Sequence, residues 1–196
     1  MIIYFDIETI SDGENINEFD HDKLFERYGE KLNFMPEFNR IFTIAVWTVT
    51  KEGNIIKNLQ GGEKEQIEAF FKAIEGNVIA GFNIKGFDLP FIIKRALKHQ
   101  LDIPDCIKFF WKKPREMDNI VDLQEVYKQG QFGAFWKLDL ICNYLWFNSP
   151  KDDNIDGSQV QAFYDAGKLE EVKEYCKRDV EATIKVYQYF VEYNLI

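Results

Sequence analysis

Histidine is nearly missing from this chain, two residues in 196, and cysteine is scarce at three. Cys106, Cys142 and Cys176 are odd in number, far apart and without the paired spacing of a zinc site. They predict reduced core thiols in a cytoplasmic protein and carry no assigned chemistry. Glycine and proline are also few, 12 and 5, against 46% hydrophobic and 16% aromatic residues, which excludes extended disorder and predicts ordinary core packing. No apolar run approaches the roughly 18 residues of a membrane span. The start, MIIYFDIETI, has no basic segment and soon meets acid, so a soluble chain without a secretion signal is expected. Positive charge is in deficit, 24 Lys and Arg against 33 Asp and Glu, a formal charge of −9. Affinity for long duplex comes mainly from cations displacing phosphate counterions, so a protein that grips duplex is disfavoured. Carboxylates gathered around divalent cations are neutralised on binding, however, and a few local basic residues can hold a short strand.

The length fits one domain with one core. Met1 to Thr9 is apolar and β-branched and predicts a strand; Arg40 to Thr50 and Asn54 to Leu59 predict two more, joined by a turn over Lys51 to Gly53. Ile67, Phe70, Phe71 and Ile74 mark one face of a helix over Glu65 to Ile74, and Val78 to Phe82 is a short buried strand. Phe87 to His99 predicts a helix, Ile120 to Leu123 a strand, and the remainder is mostly helical, punctuated at Ser158 and Gly167. Hairpin strands followed by alternating helices and strands predict an α/β fold with a mixed sheet flanked by helices. The segment from Ile10 to Asn39 is too long for a tight hairpin, and a helix is expected around Asp22 to Lys31. It is a lid or an insertion. No internal repeat or low-complexity segment is visible.

Asp6 and Glu8 stand two apart at the end of the first strand, and alternation along a strand sends both side chains to one side. The D-x-E pattern is weak alone, since an acidic chain contains it about once by chance. Asp12–Gly13–Glu14 is a second instance, in an expected loop. What distinguishes the first pair is its apolar strand, where charge costs free energy unless a cation or partner compensates it. The plainer reading is a charged strand end facing water. Asn83, Phe87 and Asp88 follow the strand ending at Phe82; Asp88 falls where a helix N-cap or first-turn acid is common, and Phe87 where a core aromatic is. Tyr175 and Asp179 lie four apart on a helix and share a face; a surface polar pair is the simple account. Four carboxylates from separated contexts can nonetheless supply the all-oxygen ligand set of Mg²⁺ or Mn²⁺. Two such ions can activate water and stabilise both oxygens of a phosphodiester displacement, with Tyr175 placed to position the water.

With these motifs in order, the chain resembles the DEDD exonuclease superfamily and its tyrosine-bearing DEDDy branch, which includes the proofreading domains of DNA polymerases. FDIET matches the first motif, Asn83-xxx-Phe87–Asp88 the second and Tyr175-xxx-Asp179 the third. PEFNRIFTIAV and Asp156 to Val160 are similar to stand-alone bacterial and phage proteins that look like the exonuclease domain of family-B polymerases. The resemblance implies an RNase H-like fold, a mixed five-stranded sheet flanked by helices, as a single 3′–5′ exonuclease domain over 1–196 with an insertion at about 10–39. It implies Asp6, Glu8 and Asp179 on one metal, Asp6 shared with a second, Asp88 reaching it partly through water, and Tyr175 orienting the nucleophile. It also places Ile7 and Thr9 at the terminal nucleotide and Asn83 and Phe87 along the strand path.

The implied substrate is the 3′ end of single-stranded nucleic acid, DNA first and RNA as an alternative. A structure-selective nuclease on the same fold stays open, as does a catalytically silent subunit of a replication or repair complex; the complete acid set argues against the last. Phosphotransfer through a Gly-rich loop is excluded, since none is present. Lys112, Lys113 and Arg115, beside Phe109, Phe110 and Trp111, offer a strand-holding edge, with a solvated loop as the alternative. Phe132, Phe135 and Trp136, near Gly130 and Gly133, are better read as a helix entry packed on the sheet.

Overall fold

A computed structural model describes residues 1–13, 21–50, 53–108, 118–132, 136–147 and 155–196. Among the described residues five strands and seven α-helices follow in the order β1 (Ile2–Ser11), α1 (His21–Tyr28), β2 (Asn39–Thr50), β3 (Gly53–Asn58), α2 (Glu63–Ile74), β4 (Val78–Gly81), α3 (Asp88–Lys98), β5 (Ile120–Asp122), α4 (Leu123–Lys128), α5 (Leu138–Tyr144), α6 (Val160–Asp165) and α7 (Leu169–Glu192). They form one sheet in the order β3-β2-β1-β4-β5. β1 pairs antiparallel with β2 and parallel with β4; β2–β3 is antiparallel and β4–β5 parallel. This is the expected mixed sheet, with β1 at its centre.

Alternation along β1 splits the core into two layers. Ile3, Phe5 and Ile7 face α2 and α3, packing with Ile44, Val46, Phe70, Ile74, Leu89 and Phe91. Tyr4 points the other way, with Ala45 and Ala80, toward Cys176 and Val180 of α7. Both alanines are fully buried. Their small side chains let α7 lie close on the sheet. Gly167, in the left-handed region at φ +74, ends the turn after α6 and starts α7 in its new direction. Among the described residues no helix is long and apolar enough to cross a membrane.

Two expectations shift. β1 continues to Ser11, opposite Asn39, so Asp6 and Glu8 sit inside the strand and not at its end. The signal was hidden because Ser11 and Asp12 are polar while the backbone at Ser11 stays paired. The expected helix after the first strand is α1 plus a 3-10 turn over Gly29–Phe34. The register slips between Glu8, opposite Thr43, and Thr9, opposite Ile41, a bulge immediately beyond the acids that re-aims the strand end. The turn residues 51–52, the basic and aromatic run 109–117 and Phe135 lie outside the described residues. Trp136 packs in the cluster under α7 as expected, while Phe132 is exposed and does not.

Candidate metal centre

Four acids arrive on three elements. β1 supplies Asp6 and Glu8 on the face turned to α7; α7 supplies Tyr175 and Asp179 one turn apart; α3 begins at Asp88. Asp88 is 4% exposed and its Oδ1 accepts from the Ile7 backbone N–H at 3.3 Å, which locks the first helical turn to the middle of β1. Glu8 is 8% exposed and Tyr175 4%. Such burial leaves little water to solvate carboxylates standing this close together.

The electrostatics follow. Burial first, and then Asp179, Asp88 and Glu8, push the Asp6 carboxyl well above the ordinary range. Burial, Asp179 and Asp88 do the same to Glu8. Asp88 is pushed up to about 7, mainly by burial with help from Asp122 and Asp179, against the pull of the Ile7 N–H. Burial and the neighbouring carboxylates of Asp179, Glu8 and Asp6 raise the Tyr175 phenol, which also donates a hydrogen bond to Asp179. At neutral pH Tyr175 is therefore a hydroxyl, not a phenolate.

The donor set suits a hard divalent cation. Asp6, Glu8 and Cys176 place ligand atoms within 4.8 Å of one another. Burial and the Asp6 and Glu8 charges hold the Cys176 thiol well up, so it remains protonated, and its Sγ lies 3.4 Å from both the Asp6 backbone oxygen and Oδ2. It is a donor that orients Asp6. The oxygens are what a hard ion would take, and the charge of such an ion would offset the repulsion that raises their pKa values.

The remaining sequence candidates fall at the margin. Ile7's side chain is in the core, so only its N–H serves the site. Thr9 is half-buried beyond the bulge. Asn83 takes φ +59, and Phe87 is half-buried with its ring against Phe34 and Phe91.

Sequence reading missed Asp122. Ending β5 and 3% exposed, it accepts at Oδ1 from the N–H of Asn83 (2.9 Å) and Gln124 (3.0 Å), and at Oδ2 from Lys85 N–H (2.9 Å). It thus clamps the loop leading into Asp88. An Asp closing an apolar strand, as Asp6 interrupts β1, was the available signal. Also missed was the use of Asp12, treated as a chance loop residue. It is buried and lies 2.9 Å from Arg95 Nη2 and 2.8 Å from Lys98 Nζ. Arg95 also donates through Nε and Nη2 to both oxygens of Glu63, at 2.7 and 2.6 Å, and through Nη1 to the Pro36 carbonyl at 3.0 Å. This network ties α3 to α2 and to the end of β1.

A protein-family profile described as "Predicted 3'-5' exonuclease related to the exonuclease domain of PolB" matches residues 32–195. The matched span holds Asp88, Tyr175 and Asp179; Asp6 and Glu8 precede it. An uncharacterized protein of Methanocaldococcus jannaschii is 33% identical over 143 residues, 68% of this chain and 70% of that protein. A DNA polymerase of Red sea bream iridovirus is 23% identical over 96% of this chain and 22% of its own length. The family B DNA polymerase of the hyperthermophilic archaeon Pyrobaculum calidifontis superposes with a TM-score of 0.64 at 17% identity, covering 99% of this chain and 25% of the polymerase. The fold is that of its RNase H-like exonuclease region, and this chain spans about a quarter of either polymerase.

Proposed function

The chain belongs to the family of predicted 3′–5′ exonucleases related to the exonuclease domain of PolB, and we propose that it removes nucleotides from the 3′ end of single-stranded nucleic acid, DNA first, with two divalent cations. The observation that carries this reading is the convergence of Asp6, Glu8, Asp88 and Asp179 into one cluster, buried at Glu8 and Asp88 and half-buried at Asp6 and Asp179, in which the neighbouring carboxylates push the pKa values of Asp6, Glu8 and Asp88 up. Buried like charges are costly, and a cluster of them is retained where a cation is to be bound.

Asp6, Glu8 and Asp179 would hold one Mg²⁺ or Mn²⁺, with Asp6 shared toward a second near Asp88. Such ions would supply Lewis-acid chemistry there, easing deprotonation of a water and offsetting charge on the phosphate oxygens. The protein's own part is geometric. Tyr175, kept neutral by its surroundings and hydrogen-bonded to Asp179, orients the attacking water and does not abstract its proton. Cys176 fixes the Asp6 carboxylate from behind, and Asp122 holds the loop that delivers Asp88. The domain assignment, one exonuclease unit over 1–196 with 10–39 as an insertion, belongs to the same proposal.

The test is incubation of 5′-labelled single-stranded DNA and RNA with Mg²⁺, Mn²⁺ or EDTA, comparing wild type with Asp6→Ala and Asp179→Ala. A ladder shortening from the 3′ end is expected with wild type and metal, and neither variant should produce it. Wild type that leaves both polymers intact with either metal defeats the reading.

A further inference from the structure

Phe34 closes the 3-10 turn that follows α1, and it is 62% exposed. Single exposed apolar side chains are ordinary and need no role. Phe34 differs in how it is held and in what it touches. Its ring meets Phe87 edge to face, with centroids 6.0 Å apart and planes at 82°. Phe87 directly precedes Asp88, whose carboxylate is tied to β1. Phe87 is itself braced from behind by Phe91, 5.5 Å away, on the rim of the core. An aromatic with open surface thus stands on a rigid support against Phe87, the residue that directly precedes Asp88.

The segment carrying Phe34 is fastened at several points. Asn39 Nδ2 donates to the carbonyls of Leu32 (2.6 Å) and Met35 (2.9 Å), and Asp12 N–H donates to Phe38 (2.8 Å). Arg95, saturated by Glu63 and Asp12, spends its remaining nitrogen on the Pro36 carbonyl. Leu32 and Pro36 are buried. Residues 32–39 are therefore part of the frame, and the ion-pair network behind them ends at the backbone that presents Phe34.

We propose that Phe34, backed by Phe87, is a stacking platform for a nucleobase of the single strand close to its 3′ end. This rests on the exonuclease reading above. Stacking, which every base supports through its π face, adds strand affinity beyond what a few local basic residues give through phosphate contacts. An edge-to-face pair with Phe34 well exposed leaves ring face open for a base, and Phe87 sets its distance from Asp88.

The experiment measures binding of a fluorescent single-stranded DNA oligomer by anisotropy in EDTA, where no hydrolysis occurs, for wild type, Phe34→Ala and Phe34→Trp. A matching series carries one abasic site at each of the last few 3′ positions. Phe34→Ala is expected to weaken binding roughly 5- to 100-fold. Phe34→Trp should restore it, and the salt slope should stay that of wild type because no phosphate contact is lost. At one position the abasic oligomer should bind wild type as weakly as the intact oligomer binds Phe34→Ala, with no further loss when the two are combined. Equal affinity of wild type and Phe34→Ala, or losses that add at every abasic position, overturns the platform. If wild type shortens the strand with metal while Phe34→Ala binds normally, only this inference fails; if wild type neither binds nor shortens it, the exonuclease reading fails as well.

Discussion

Asp88→Asn should make the metal-free protein more stable while abolishing its activity. Asp88 is pushed up to about 7 from the 3.8 of a free side chain, mainly by burial. A group whose folded pKa is raised contributes stability that is fully present below its unfolded pKa and is lost as pH rises through the folded one. The wild-type fold therefore weakens from about pH 4 to about pH 7, by on the order of 4 kcal/mol for a shift of some three units. The amide does not titrate and keeps an acceptor for Ile7 N–H, so it avoids this loss. Its NH₂ group, buried among carboxylates, recovers part of its desolvation and costs about 1–3 kcal/mol at most. The net gain of about 1–3 kcal/mol above neutrality corresponds to roughly 3–10 °C in Tm for a domain of this size. The assay is calorimetry in EDTA at about pH 5 and about pH 8. The variant should melt later at the higher pH and nearly level with wild type at the lower. Saturating Mn²⁺ should reverse the order, since a ligand at 100 times its Kd adds about 2.7 kcal/mol to the form that binds it. A variant that melts earlier than wild type in EDTA at the higher pH, or an advantage independent of pH, refutes the account of the cluster as mutually repelling buried acids.

Three further outcomes follow from the same geometry. Tyr175→Phe should lower kcat by up to roughly 100-fold with little change in Mn²⁺ affinity by titration calorimetry, because the hydroxyl orients water and is not a ligand; lost metal binding would count against that role. Asp122→Asn replaces an acceptor with a donor facing one of the N–H groups of Asn83 and Lys85, so Mn²⁺ affinity should fall about 10-fold or more through displacement of Asp88, as is usual for groups that orient ligands. Arg95→Met strands the buried carboxylates of Asp12 and Glu63 and should cost about 3–5 kcal/mol in urea denaturation at neutral pH. Burial works to raise both carboxyls, but hydrogen bonds from Lys98 and Arg95 to Asp12, and from Arg95 and His99 to Glu63, hold them below their ordinary values. Their contribution is thus present above about pH 4 and lost as acid titrates them, so the Arg95→Met penalty should shrink below that pH.

The reach of sequence reading here followed the range of each interaction. Asp6 and Glu8, like Tyr175 and Asp179, reveal themselves through local periodicity, two in a strand and four in a helix, and the structure brings both pairs together. The sheet was readable because β1, β2 and β4 carry apolar runs that only strands explain. Asp12 was not, because the partner that gives it meaning, Arg95, lies far along the chain. Asp122 was hidden for the same reason: its partners at Asn83 and Lys85 are backbone N–H groups, which no side-chain pattern announces. Ser11 was missed because pairing with Asn39 follows from register and not from hydrophobicity.

Ala45 and Ala80 stand under α7 with no more than a methyl group each. They act as a gauge block between two halves of one site, the strand that carries Asp6 and Glu8 and the helix that carries Tyr175 and Asp179. A relative could keep all four of these letters and, with valine or leucine at either position, hold its helix too far out for them to meet. The spacing of those two halves is therefore set partly at two positions whose own side chains carry no ligand atom.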